Sequence, residues 1–122
     1  MKRNFFILVI LFIAVHASAH HSASAFDRSS PLIVMGTVEE FRWTNPHSWV
    51  TVQVPNDEGG YDKWVLEGGS TPIMVRNGWT ADSLKPGQWV KCLIAPNRDG
   101  STGGELLSVT FKDGSVLAFG VI

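Results

Sequence analysis

The sequence predicts a mainly β protein: a small, five-stranded closed barrel of the oligonucleotide/oligosaccharide-binding (OB) type, with one short helix between strands three and four. Short segments of alternating polar and apolar residues are separated by Gly, Pro, Asn and Asp turn signals. One helix signal follows the third segment. The first segment is long and contains Gly36, and a strand bent at glycine can join both halves of a closed sheet. A small β-sandwich is the alternative.

The strands are assigned from their period-two alternation and from the turns between them. The second strand carries Val50, Val52 and Val54 on one face, which predicts that these valines point inward. Trp64 and Leu66 are the predicted inward pair of the third strand. The predicted strands are Leu32–Thr44, Ser48–Val54, Tyr61–Glu67, Gln88–Ala95 and Leu106–Phe111, followed by a final apolar stretch, Val116–Ile122.

The helix signal combines a start and a stop. Ser70 or Thr71 can cap the N-terminus, and Pro72 suits the first turn. Gly78 suits the position just after the helix, where a left-handed backbone conformation is favoured. We therefore predict a helix of about two turns that closes one end of the barrel.

Residues 1–19 are predicted to be a cleavable secretory signal peptide. Two basic residues form its positive start, the segment Phe5–Val15 is apolar and uncharged, and small residues precede a cleavage point after Ala19. A second candidate cleavage point follows Ala25. The apolar segment is too short to span the roughly 30 Å core of a bilayer as a helix, which favours release over a membrane anchor.

Cleavage after Ala19 would leave an N-terminal arm, residues 20–31, and one barrel domain, residues 32–122, in a periplasmic or secreted protein. Two of the 10 Lys and Arg residues would be removed and all 11 Asp and Glu residues would remain. This acidic balance disfavours nucleic acid as a partner. No second long apolar segment follows, so no transmembrane segment is expected after cleavage. The single cysteine, Cys92, lies in an alternating strand and is predicted to be a small core residue.

The predicted mature N-terminus offers nitrogen ligands for a metal ion. The α-amine and the ring of His20 can close a chelate, and His21 adds a second imidazole. His47 completes a nitrogen-rich site if the arm folds back onto the barrel. Such sites bind Cu²⁺ most strongly among the divalent first-row ions, so copper is the predicted cofactor. The alternative is that the His-His pair is only a tail that serves signal-peptide processing.

The residues between the first two strands supply a second candidate site. With the valines inward, His47, Trp49 and Thr51 are predicted to face outward. Ligands of OB barrels usually lie near strands two and three, so Trp43, Asn45 and Trp49 are candidate ligand-binding residues. In the alternative, Trp43 and Trp49 are packing residues, Asn45-Pro46 forms a turn, and His47 caps that turn by a hydrogen bond.

No catalytic constellation emerges from the sequence. It contains no Gly-x-Ser-x-Gly elbow, and its carboxylates are scattered in turns. The predicted function is therefore an exported, non-catalytic module that binds a metal ion through His20, His21 and His47. The alternative is a module without metal that docks a periplasmic partner or a small ligand on the Trp43 and Trp49 surface. An enzyme would need a metal-bound water.

Short motifs are distributed over nearly the whole predicted mature chain. They are His20-His21-Ser22, Phe26-Asp27, Gly36-Thr37-Val38, the Trp-Thr-Asn-Pro-His-Ser-Trp run at 43–49, Gly78-Trp79-Thr80, Ser83-Leu84-Lys85-Pro86-Gly87, Ser108-Val109 and Asp113-Gly114. With these motifs the chain resembles a family of small bacterial secreted proteins grouped as a domain of unknown function. The resemblance implies an exported, barrel-like domain whose mature chain begins at the His-His pair, and it implies no established activity.

Overall fold

The computed structural model describes residues 25–119 of the 122-residue chain. The predicted signal peptide and the candidate ligands His20 and His21 lie outside the described residues. The described elements are β1 (Leu32–Arg42), β2 (Trp49–Pro55), β3 (Tyr61–Glu67), α1 (Thr71–Arg76), β4 (Trp89–Pro96), β5 (Gly103–Phe111) and β6 (Val116–Ala118).

Strands β1 to β5 form a closed barrel. The sheet order is β3-β2-β1-β4-β5-β6, and β3 also pairs with β5. This closing contact is parallel and joins Val65–Glu67 to Gly103–Glu105, whereas the other ladders are antiparallel. The predicted five-stranded OB-like barrel with one short helix between strands three and four is confirmed. Strand β6 pairs with β5 and adds a sixth strand to the sheet.

The long first strand serves both halves of the barrel, as predicted. Its first part, Leu32–Thr37, pairs with β4, and its second part, Thr37–Arg42, pairs with β2. Gly36 lies just before this change of partner, and a β-carbon there would overlap the carbonyl oxygen of Gln53. The bulge itself follows Gly36, where the register shifts between Val38 and Glu40.

Several predicted strand ends differ from the structure. The first strand stops at Arg42, two residues before the predicted end at Thr44, and β2 begins at Trp49. The largest difference is in β5, which begins at Gly103 and not at Leu106. Two adjacent glycines are typical of a loop, which is why the prediction began the strand after them. In the structure they allow the backbones of neighbouring strands to approach closely, since a β-carbon on Gly104 would overlap the Ala95 carbonyl.

The alternation of β2 is only partly as predicted. Val50 and Val52 are fully buried and face the core, and Val54 is half-buried at the end of the strand. Thr51 is also buried, although it was expected to face outward into solvent. Its backbone lies between Glu40 of β1 and Val65 of β3, and a short side chain between longer cross-strand neighbours is shielded from water even on an outer face.

One hydrophobic core fills the barrel. Its largest fully buried side chains include Trp79, Met74 and Leu66, and Trp64 packs half-buried at its margin. Met74 comes from α1, so the helix covers one end of the barrel with an apolar side chain, as predicted. Within residues 25–119, no helix has the length and apolar character needed to cross a membrane.

Cys92 is a fully buried core residue in β4, and burial raises the pKa of its thiol to about 12. Only the thiolate reacts readily, so we expect the folded protein to resist a thiol reagent such as a disulfide dye at pH 8. The unfolded protein in denaturant should react with one equivalent within minutes. Equal labelling rates with and without denaturant would show that the core opens readily.

Candidate functional site

His47 borders a cavity of about 240 Å³ whose lining also includes Glu67 and Phe26. Its Nδ1 atom lies 3.1 Å from Glu67 Oε1 and 3.2 Å from the Gly68 carbonyl oxygen. Both partners are acceptors, so Nδ1 carries the ring hydrogen and Nε2 holds the lone pair when the ring is neutral. Among the described residues, none is hydrogen-bonded to Nε2, and the side chain is 39% exposed.

The loop before β2 fixes the position of this imidazole. Thr44 donates its hydroxyl to the His47 carbonyl at 2.8 Å. Ser48 is fully buried, and its backbone exchanges two hydrogen bonds with Gly68 and Gly69, each of 2.8 Å. These bonds join the loop to the segment that follows β3, which brings His47 to Glu67.

Asn45 supports the same loop from outside the cavity. Its side-chain oxygen accepts hydrogen bonds from the backbone N–H of Thr71 at 2.9 Å and from the Thr71 hydroxyl at 3.1 Å. The Asn45–Pro46 peptide bond is cis, and the turn predicted here is present. The candidate ligand residue Asn45 therefore ties the loop to the first residue of α1.

Two carboxylates line the cavity beside His47. Glu67 and Glu105 are direct neighbours in the parallel β3–β5 ladder, and the side chain of each is 14% exposed. Arg28 donates two hydrogen bonds to Glu105, at 2.6 and 2.7 Å, and partly balances its charge. Burial raises the pKa of Glu67; His47 opposes this rise in part, and the charge of Glu105 adds to it.

The described part of the N-terminal arm is docked beside this site. The Ala25 carbonyl accepts a hydrogen bond from Arg98 N at 2.9 Å, and Asp27 N donates to the Pro96 carbonyl at 2.8 Å. Between them, Phe26 is 7% exposed and lines the cavity that His47 borders. The arm thus reaches the barrel close to the imidazole that the sequence singled out.

The two candidate tryptophans occupy different surroundings. Trp43 packs against the core with its ring edge-on to Phe41, at a centroid distance of 5.8 Å. Trp49 lines a second cavity of about 550 Å³, whose lining also includes Phe26 and Glu67. The structure therefore places Trp49 near His47 through their shared neighbour Glu67, and it places Trp43 in the packing.

Sequence reasoning did not identify Glu67, Glu105 or Arg28 as site residues. Each was one of many scattered charged residues in the sequence. Their proximity depends on the parallel closure of β3 on β5 and on the docking of the arm, and both contacts join distant parts of the chain. The available signal was the position of Glu67, at the end of a predicted strand and directly before Gly68-Gly69.

The described residues do not form a complete metal site by themselves. Within residues 25–119, no group of three or more His, Cys, Asp or Glu side chains is arranged to hold a metal ion. The predicted metal site draws its other ligands from outside this range. His20 and His21, which lie before Ala25, are the predicted source of those ligands.

A closed barrel, a helix after its third strand and a histidine–carboxylate pair beside a docked arm define a small OB-like β-barrel domain. The chain belongs to the family of unknown function DUF6152, whose model matches residues 9–106. The match spans β1 to β4 and the start of β5, and it confirms the resemblance to a domain-of-unknown-function family. No curated protein and no solved structure matches the chain.

Proposed function

We propose that the protein is an exported, non-catalytic binding module that holds a copper ion between its N-terminal arm and its barrel. The ligands are the α-amine and imidazole of His20, the imidazole of His21, and Nε2 of His47. The observation that carries the proposal is the docking of the arm beside an imidazole whose Nδ1 is engaged by two acceptors.

The hydrogen bonding of His47 supports a ligand role. Histidines that bind metals almost always donate their other ring N–H to a carboxylate or a backbone carbonyl, which fixes the ring and its tautomer. His47 has both kinds of partner, in Glu67 and Gly68. Its second nitrogen is thereby prepared to bind an ion.

The reach of the arm also supports the proposal. Ala25 and Trp49 line one cavity, Phe26 and Glu67 line both cavities, and His47 contacts Glu67. The five residues 20–24 can span up to about 17 Å when fully extended. Because the two cavities share Phe26 and Glu67, we expect this length to let the first residue of the predicted mature chain reach His47 from Ala25.

Local charge and donor type favour a divalent cation, and copper in particular. Glu67 and Glu105 lie beside the imidazole with one arginine against them, so the immediate surroundings are not positively charged overall. Amine and imidazole nitrogens give the highest affinity to Cu²⁺ among the divalent first-row ions, with Zn²⁺ weaker. We therefore expect one Cu²⁺ per chain and a lower affinity for Zn²⁺.

Titration calorimetry of the exported protein tests the proposal, after intact mass has shown that the chain begins at His20. His47→Ala should weaken Cu²⁺ binding about 10-fold or more, because it removes a ligand. Changing only a residue that is hydrogen-bonded to a metal ligand typically lowers metal affinity by about 10-fold or more. Tyr61→Ala is the matched control: this ring is 66% exposed at the far end of the β2–β3 hairpin, and its loss should leave the affinity unchanged. Unchanged affinity in a His20→Ala, His47→Ala double variant would overturn the proposal.

A second candidate function uses Trp49 without a metal. The half-buried ring lines the 550 Å³ cavity with Arg98 and Asn97, a setting that suits a small ligand or a partner side chain. Trp43 is half-buried against the core and does not line this cavity, so this candidate depends mainly on Trp49. A pull-down from periplasmic extract that is lost in Trp49→Ala and kept in Trp89→Ala would favour it, provided that copper binding is absent.

A further inference from the structure

We infer that Glu67 is the positioning residue of the copper site, holding the ring hydrogen of His47 on Nδ1 and the lone pair on Nε2. The inference rests on the proposed function and adds to it a residue that acts through the imidazole and not on the ion. No motif in the sequence assigned this role to Glu67.

Two acceptors converge on one ring nitrogen, and both are fixed in place. Glu67 Oε1 lies 3.1 Å from Nδ1 and the Gly68 carbonyl lies 3.2 Å from it. The Gly68 peptide is held by its own hydrogen bond to the Ser48 carbonyl, at 2.8 Å. Because both partners accept, a ring that moved its hydrogen to Nε2 would face them with a lone pair, and a ring that turned over would offer them only the Cδ2–H group.

The backbone of Glu67 is held on both sides by the closure of the barrel. It pairs with Trp49 of β2 on one side and with Glu105 of β5 on the other. The side chain itself is 14% exposed, and a hydrogen bond in such a partly dry site is stronger than one in water. The carboxylate is therefore a rigid support for the imidazole.

Arg28 of the N-terminal arm engages Glu105, the carboxylate next to Glu67, so that Glu105 does not compete for His47. Glu105 lies beside Glu67, and its two oxygens accept hydrogen bonds from Nε and from a terminal nitrogen of Arg28. This bidentate pair leaves Glu67 as the carboxylate that is directed at His47. The ion pair also holds the arm next to the imidazole. The positions of the arm and of the ring therefore both depend on the adjacent carboxylates of Glu105 and Glu67.

Glu67→Gln tests the inference, because glutamine keeps the size and an accepting oxygen but removes the charge. We expect Cu²⁺ affinity to fall about 10-fold, at the lower end of the range seen when an outer partner of a ligating histidine is changed. Glu39→Gln is the matched control, since it removes a hydrogen-bonded carboxylate outside the cavity beside His47, paired with Lys63 at 2.8 Å. The control should change the affinity less than twofold, and neither variant should lower the melting temperature of the metal-free protein by more than a few degrees.

The ring nitrogens of His47 provide a readout that a merely structural residue would not change. In ¹⁵N spectra of the metal-free protein at neutral pH, we expect hydrogen on Nδ1 in the wild type and a measurable fraction on Nε2 in Glu67→Gln. Unchanged affinity together with an unchanged spectrum in Glu67→Gln would overturn the inference and leave the proposed function intact. If the wild type binds no copper, the proposed function and the role of Glu67 at a copper site fail together, whereas copper binding with hydrogen on Nε2 in the metal-free wild type would overturn the inference alone.

Discussion

Replacing Gly36 with alanine is expected to destabilise the protein by about 3 kcal/mol or more, a large part of the 5–15 kcal/mol that usually separates folded from unfolded domains. The backbone at Gly36 permits a side chain, but the added β-carbon would overlap the carbonyl oxygen and carbon of Gln53. That oxygen belongs to the backbone of β2, so it cannot be moved by a change of rotamer. Urea denaturation followed by tryptophan fluorescence measures the effect.

Gly60→Ala is the control for this substitution. A β-carbon at Gly60 would meet only the Asn56 side chain, at an ordinary distance of 3.7 Å. We expect a change within about 0.5 kcal/mol there, as for most surface substitutions. If Gly36→Ala is as stable as Gly60→Ala, then β1 and β2 can separate without loss, and the close approach of the two strands is not required for the fold.

The barrel could be predicted from the sequence because each strand has its own local alternation of polar and apolar residues. The valines of β2 and the alternating run of β4 each place one face inward by period two, and a single helix signal separates β3 from β4. Gly36 indicated that the long strand could serve both halves of the barrel, although the bulge lies between Val38 and Glu40. The contact of Gly36 with Gln53 could not be predicted, because that contact depends on the register between two strands.

The start of β5 shows where local patterns fail. Gly103-Gly104 has the composition of a loop, yet these two residues pair in parallel with Val65 and Leu66 and close the barrel. A parallel contact between strands far apart in the chain leaves no periodic signal. Glycine is used here for close approach between backbones and not for a turn, and sequence alone does not distinguish these two uses.

The candidate site was predictable in its aromatic and imidazole residues but not in its charges. The partial exposure of His47, two residues before β2, followed from the parity of that strand. Trp43 and Trp49 were expected on one surface, but a loop separates them and the alternation of one strand does not continue into the next. Glu67 comes to His47 through the backbone bonds between Ser48 and the Gly68-Gly69 segment, which are long-range contacts.

Trp79→Ala is expected to cost about 3–5 kcal/mol, the range found when a buried large aromatic residue is truncated. Trp79 is fully buried and lies against Phe41, with ring centroids 6.1 Å apart. It lies three residues after the end of α1, and its backbone N–H donates to the Met74 carbonyl of the helix at 3.0 Å. Trp89→Ala, at a ring that is 37% exposed, should cost clearly less in the same denaturation experiment.

Trp79→Phe separates the packing of the ring from its hydrogen bond. The indole Nε1 donates to the Ala118 carbonyl of β6 at 2.9 Å, and phenylalanine cannot replace that donor. We expect a loss of about 1–3 kcal/mol, because a partly buried carbonyl is left unpaired. Strand β6 is held by three residue pairs with β5 and by this bond. Its amides should therefore exchange with deuterium faster in Trp79→Phe than in the wild type, whereas the amides of β1 and β4 should exchange as slowly as in the wild type. Equal protection of β6 in both proteins would show that the short strand is held by its ladder alone.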